Sequence, residues 1–220
     1  MRFRESTSKW RKCWRRLVLL AALFMAGCVI STEYVQGPQL VPAPLPSYQP
    51  GDNFRFDNGA EETVVAVDRQ TGNVAWRRNR NRTMVRSRSF IFPDLEWKTA
   101  AASGGFETTA PVDGLWPLKR GQAQDIDGTS FEFRNATERN IQSDVRLSCW
   151  VAGTVRLTVP AGTFDTVKVT CRRFINQGRR FTSQINWFYA PDLGHYVQRE
   201  TKSTLGGENS RVRLLSYSKG

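Results

Sequence analysis

The chain has 220 residues, one histidine, four cysteines and a formal net charge of +12. That length suffices for one domain with a real core. With no Cys-x-x-Cys and His195 as the only imidazole, it excludes the ligand sets of a structural or catalytic zinc, and no metal or cofactor is expected. The charge points to nucleic acid less than its size implies, because residues 1–27 carry seven basic residues against Glu5 alone, so about half of the excess sits in that leader.

The leader is basic and polar through Arg16, then apolar from Leu17 to Ala26. Ten apolar residues match a signal-peptide core and are too short to span a bilayer, which takes about 20. The stretch closes as Leu23-Phe24-Met25-Ala26-Gly27-Cys28. Small residues before a cysteine suit a peptidase cleft; an ordinary signal peptide or an uncleaved anchor are the alternatives. Residues 1–27 are therefore expected to be a signal peptide and 28–50 the start of the exported chain with a linker. Gln36 to Pro50 holds five of the ten prolines, which block helix and sheet and favour an extended tether.

From Gly51 to Gly220 the pattern predicts an all-β domain. Period-two runs rich in Val, Thr and aromatics occur at 62–67, 73–78, 82–91, 129–134, 143–151, 154–159, 164–173, 181–189, 195–203 and 211–217. Val145, Leu147, Cys149 and Val151 share a face, as do Val167, Val169 and Cys171, and Ile185, Trp187 and Tyr189. The expected architecture is an antiparallel, strongly curved sheet or open β-barrel (a β-roll) with one apolar face. Thr71-Gly72-Asn73 reads as a hairpin turn. Residues 93–127 are weakly periodic and read as long loops with short strands.

Cys149 and Cys171 flank a turn at 160–163 on inward faces, two or three positions out of direct opposition. A bulge at Ala152-Gly153 would correct the register and allow a disulfide in an oxidising compartment; two buried thiols are the alternative. Arg77, Arg78, Arg80, Arg82, Arg86 and Arg88 form the densest charge cluster, suited to an anionic surface or to a solvated strand face. No stacking motif for nucleic acid accompanies it. Glu61-Glu62 and Asp125-Asp127 are carboxylate pairs of the kind used in glycan hydrolysis, but turn residues beside them favour solvated loops. No nucleophile is tied to His195, so no catalytic residue is assigned.

Two resemblances add to these readings. Leu23–Cys28 resembles the lipobox of bacterial lipoproteins, with Met25 where Leu, Val or Ile is usual. That resemblance implies cleavage before Cys28, a diacylglycerol on its thiol and acylation (such as palmitoylation) of the new amino group. Val29, where Asp signals inner-membrane retention in that family, implies the outer membrane, facing the periplasm. Val159-Pro160-Ala161-Gly162-Thr163-Phe164-Asp165, then Trp187-Phe188-Tyr189-Ala190-Pro191 and Gly194, resembles a pattern of exported bacterial β-proteins of unknown function. It implies a fold and an envelope location, and those proteins have no agreed chemistry. Together these make the domain a non-catalytic envelope module that binds a partner protein, a glycan or an apolar molecule, with Trp76, Trp97, Trp116, Trp150 and Trp187 as candidate liners. The alternative is a cell-wall hydrolase using carboxylates.

Overall fold

The computed structural model describes residues 35–39, 42–134 and 139–220; Cys13, Cys28 and the leader lie outside them. The described chain from Val35 onward forms one compact unit, and among the described residues there is no helix. Thirteen strands follow in order: β1 (Val35–Gln36), β2 (Asn53–Phe56), β3 (Glu61–Val67), β4 (Val74–Arg78), β5 (Arg82–Arg86), β6 (Glu96–Lys98), β7 (Ala102–Glu107), β8 (Ala123–Arg134), β9 (Arg139–Val159), β10 (Gly162–Ile175), β11 (Arg180–Ala190), β12 (His195–Ser203) and β13 (Ser210–Ser218).

Each strand from β2 to β13 pairs antiparallel with its sequence neighbours, and β13 returns to pair with β2. The sheet is therefore a closed, twelve-stranded up-and-down barrel rather than an open one. Closure leaves no free edge along the ring, the strongest remedy for unpaired backbone donors and acceptors. The closing strand β2 spans only four residues, too few for periodicity to mark it. β1 stands outside the ring, pairing Val35 with Arg156 on β9 beyond the point where β8 ends.

The β9–β10 hairpin turns on Pro160 and Ala161 alone, since Val159 opposes Gly162. That turn is tighter than expected and would leave the cysteines one position out of step. A bulge at Ala152 absorbs the step: Lys168 opposes Gly153 and Val169 opposes Val151. Cys149 then faces Cys171 directly, and a disulfide joins them with Cα atoms 4.1 Å apart. The bulge also moves Val155 and Leu157, opposite Thr166 and Phe164, onto the face away from Val145–Val151, as a one-residue slip must. The two runs at 143–151 and 154–159 are thus one bent strand with two apolar faces.

The Pro-rich segment does not run free. A bridge pairs Ala43 with Leu118, the Tyr189 hydroxyl donates to the Pro44 carbonyl at 3.1 Å, and Ala43, Pro46 and Tyr48 are buried. The domain accordingly begins before Gly51, and residues 42–50 form a strap on the barrel. Proline lets the strap pack its rings while joining no sheet.

Candidate functional site

β12 opens on His195 immediately after a turn in which Gly194 takes a φ of +73° and donates to the Ala190 carbonyl at 2.9 Å. Glycine adopts that conformation without strain, and it aims the next residue inward. The His195 side chain is 0 % exposed. Its ring stacks on Phe54 with centroids 3.9 Å apart, and Trp76, Tyr48 and Tyr196 crowd its other sides. A 2.8 Å hydrogen bond joins Nδ1 to the Tyr48 hydroxyl, carried in by the strap. Burial pushes the imidazole down to about 3; Glu62 opposes the shift and Arg86 and Lys219 add to it. His195 is therefore neutral at physiological pH.

Beside it runs a buried ion network. Glu62 alternates with Val64 on β3, so its carboxylate points into the barrel, where it is 2 % exposed. Arg86 reaches it through Nη1 at 2.8 Å and reaches Asp94 through Nε at 2.6 Å. Arg82 also bonds Asp94, at 2.7 Å, and Arg78 lies 3.7 Å from Glu62. Burial alone would raise the Glu62 carboxyl, but the Arg86 charge and hydrogen bonds outweigh it and hold the group at about 2. The Arg86 guanidinium is correspondingly held charged, well above its ordinary value. Arg86 and Arg82 also lie over the faces of Trp76 and Trp97, 5.7 and 4.6 Å from the ring centroids.

The structure divides the predicted arginine cluster. Arg78, Arg82 and Arg86 belong to this internal network, whereas Arg77, Arg80 and Arg88 are exposed. Glu61-Glu62 is not the solvated pair expected: Glu61 is exposed and Glu62 is core, because β3 turns alternate residues to opposite sides. Asp125 and Asp127 lie on β8 rather than in a loop, both exposed. A hydrogen bond from Arg146 at 2.7 Å, with its charge, holds the Asp127 carboxyl below its ordinary value. It borders an open groove of about 570 Å³ with Thr108, Thr129, Asp144 and Arg146.

Of the proposed aromatic liners, Trp76 and Trp187 are buried in the core, while Trp97, Trp116 and Trp150 are half-buried. Phe90 bridges Trp116, Trp187 and Tyr189 with ring separations of 5.4 to 5.9 Å, so this part of the interior is filled by side chains. Tyr48 and Asp94 were not singled out from the sequence, and His195 was noted there as the one imidazole without its inward direction. The parity of Glu62 with Val64 was the one available signal. The arrangement thus holds a neutral imidazole behind an aromatic wall, beside an ionised carboxylate whose oxygens are engaged by Arg86.

No family model matches the chain, and no curated protein matches it. Among solved structures, the hypothetical lipoprotein YmcC from Escherichia coli K12 superposes with a TM-score of 0.51 at 10 % identity, over 77 % of this chain and 84 % of its own. A Bacteroides fragilis NCTC 9343 protein, described as exported and YmcC-like in fold, gives 0.49 at 13 % identity over 80 % of this chain and 100 % of its own. A Parabacteroides distasonis ATCC 8503 protein described as a lipoprotein gives 0.40 at 11 % identity, over 81 % and 100 %. The first of these comparisons shows a shared fold.

Proposed function

We propose that the chain is a lipid-anchored protein of the bacterial cell envelope, held by acyl groups on Cys28, whose barrel is a non-catalytic module binding its partner at the surface. The observation that carries the proposal is Cys28 itself, set after two small residues at the end of a ten-residue apolar run. A barrel fold shared with a hypothetical lipoprotein supports it, as does the Cys149–Cys171 disulfide, which suits an oxidising compartment. Surface binding is favoured over carriage of an apolar molecule because aromatic side chains occupy the interior around His195. It is favoured over hydrolysis because Glu62 is committed to Arg86, and Asp127 to Arg146. Outer-membrane placement facing the periplasm rests on Val29 alone.

Several acyl chains give durable attachment where one is marginal, at about 0.8 kcal/mol per buried methylene. Cys28→Ser is therefore expected to move the protein from the membrane fraction to the soluble envelope fraction. Unchanged membrane fractionation of that variant would overturn the proposal.

A further inference from the structure

The β10–β11 hairpin ends in a basic, aromatic tip that the internal network does not use. Residues 171–184 contain Arg172, Arg173, Arg179 and Arg180 and no acidic residue. Arg172, Arg179 and Arg180 are exposed, as is Lys202 on the neighbouring strand. Arg172 and Lys202 both oppose Gln184, so their charges flank one row of the sheet. Among the described residues no carboxylate lies within ion-pair distance of these four cations. Arg78, Arg82 and Arg86, by contrast, share Glu62 and Asp94.

Apolar side chains stand out from the same tip. Phe181 is 37 % exposed and Leu205 47 %, and Phe174 packs on Phe181 with ring centroids 5.6 Å apart. Thr204 donates to the carbonyls of Thr182 and Phe181, at 2.9 and 3.0 Å, which brings Leu205 beside Phe181. Exposed Phe and Leu close to cations that have no carboxylate partner, although Arg172 also lies over the Trp150 ring at 5.2 Å, match an anionic bilayer surface: apolar groups enter the headgroup boundary while cations meet lipid phosphates.

Chain length permits this contact alongside the anchor. Cys28 lies seven residues before Val35, at most about 25 Å of extended chain. Val35 pairs at Arg156 of β9, and Ile175 at the tip pairs at Val145. Eleven residue steps separate those two points on β9, about 35 Å along a strand that bends at the Ala152 bulge between them. A membrane that touches the tip lies within that reach of Val35 when β9 inclines to it by less than about 45°.

We propose that the tip formed by Arg172, Arg179, Arg180, Phe181, Lys202 and Leu205 is a second membrane contact, docking on anionic phospholipid. The proposal rests on the lipid anchor of Cys28, and the test separates the two. Acylated mature protein carrying Leu205→Cys, labelled with an environment-sensitive fluorophore, is reconstituted into vesicles of phosphatidylcholine with or without phosphatidylglycerol. The emission is expected to shift to the blue only with phosphatidylglycerol, and to revert in about 0.5 M salt, where the Debye length is only a few ångströms. Each cation contributes about 1 kcal/mol near such a surface, so Arg179→Gln with Arg180→Gln should lower the docked-to-free ratio about 25-fold. The same emission in both vesicles, or a shift that appears only on adding an acidic protein, would overturn the proposal. Intact mass reports acylation separately: a protein lacking the acyl mass fails the anchoring reading, whereas an acylated protein with an unresponsive tip fails this one alone.

Discussion

Mild acid should destabilise the barrel through a single residue. His195 is the only histidine, and the folded state holds it at about 3 against an ordinary 6.5. Between those values the unfolded chain binds a proton that the folded chain refuses. This contribution to stability is therefore complete above about pH 6.5 and falls as pH drops toward 3. At pH 5 a free imidazole of ordinary affinity is almost fully protonated, which favours the unfolded state by about 2 kcal/mol relative to pH 7. For a domain of this size that corresponds to roughly 4–8 °C in Tm. Guanidinium chloride denaturation at pH 7, 6 and 5, for the native protein and for His195→Asn, measures it. The native midpoint should fall across the range, and the variant should be less stable but flat. A native profile equally flat would refute a buried, neutral His195. Below about pH 4.5 a second loss begins, because the Glu62 carboxyl, held at about 2 when folded, resists a proton that the unfolded chain accepts.

Glu62→Gln tests the ion network directly. Removing one partner of a buried pair costs about 3–5 kcal/mol; Asp94 still neutralises Arg86, so a loss at the lower end is expected, read as a lowered denaturant midpoint at unchanged m-value. A loss below about 1 kcal/mol would place Glu62 in water instead. Replacing Cys149 and Cys171 together by Ala frees a loop closed at a separation of 22 residues, for which chain entropy predicts about 3 kcal/mol. Thiol labelling of the unreduced protein should find neither cysteine free, and two labelled thiols would contradict the bond.

The parts of the fold legible in the sequence were those with long alternation. β10 and β11 were found through Val167, Val169 and Cys171 and through Ile185, Trp187 and Tyr189. β12 was expected at 195–203 and spans His195–Ser203 although its first four residues are all buried, and Ala152-Gly153 betrayed the bulge because a small residue beside glycine relieves strand pairing. β2 escaped notice, and β6 and β7 were expected only as unplaced short strands within 93–127: two of the three span only three or four residues, and β7 carries Gly104 and Gly105, where Trp97 and Phe131 occupy the space a Cβ would take. Such strands are dictated by cross-strand packing, which periodicity does not register. The strap was misjudged because proline content reports what a segment does not form, not what it packs against. Tyr48 finds His195 across 147 residues of sequence, a contact that no local pattern encodes. The six arginines between 77 and 88 look alike in sequence, and only the positions of Glu62 and Asp94 divide them.

The anchor is tested most directly by mass spectrometry of the mature N-terminal peptide from membrane-extracted protein. A first residue of Cys28 carrying a diacylglyceryl mass, with a further acyl group on its amino nitrogen, is the predicted result. An unmodified Cys28, or a mature chain that retains Arg15 and Arg16, would contradict it.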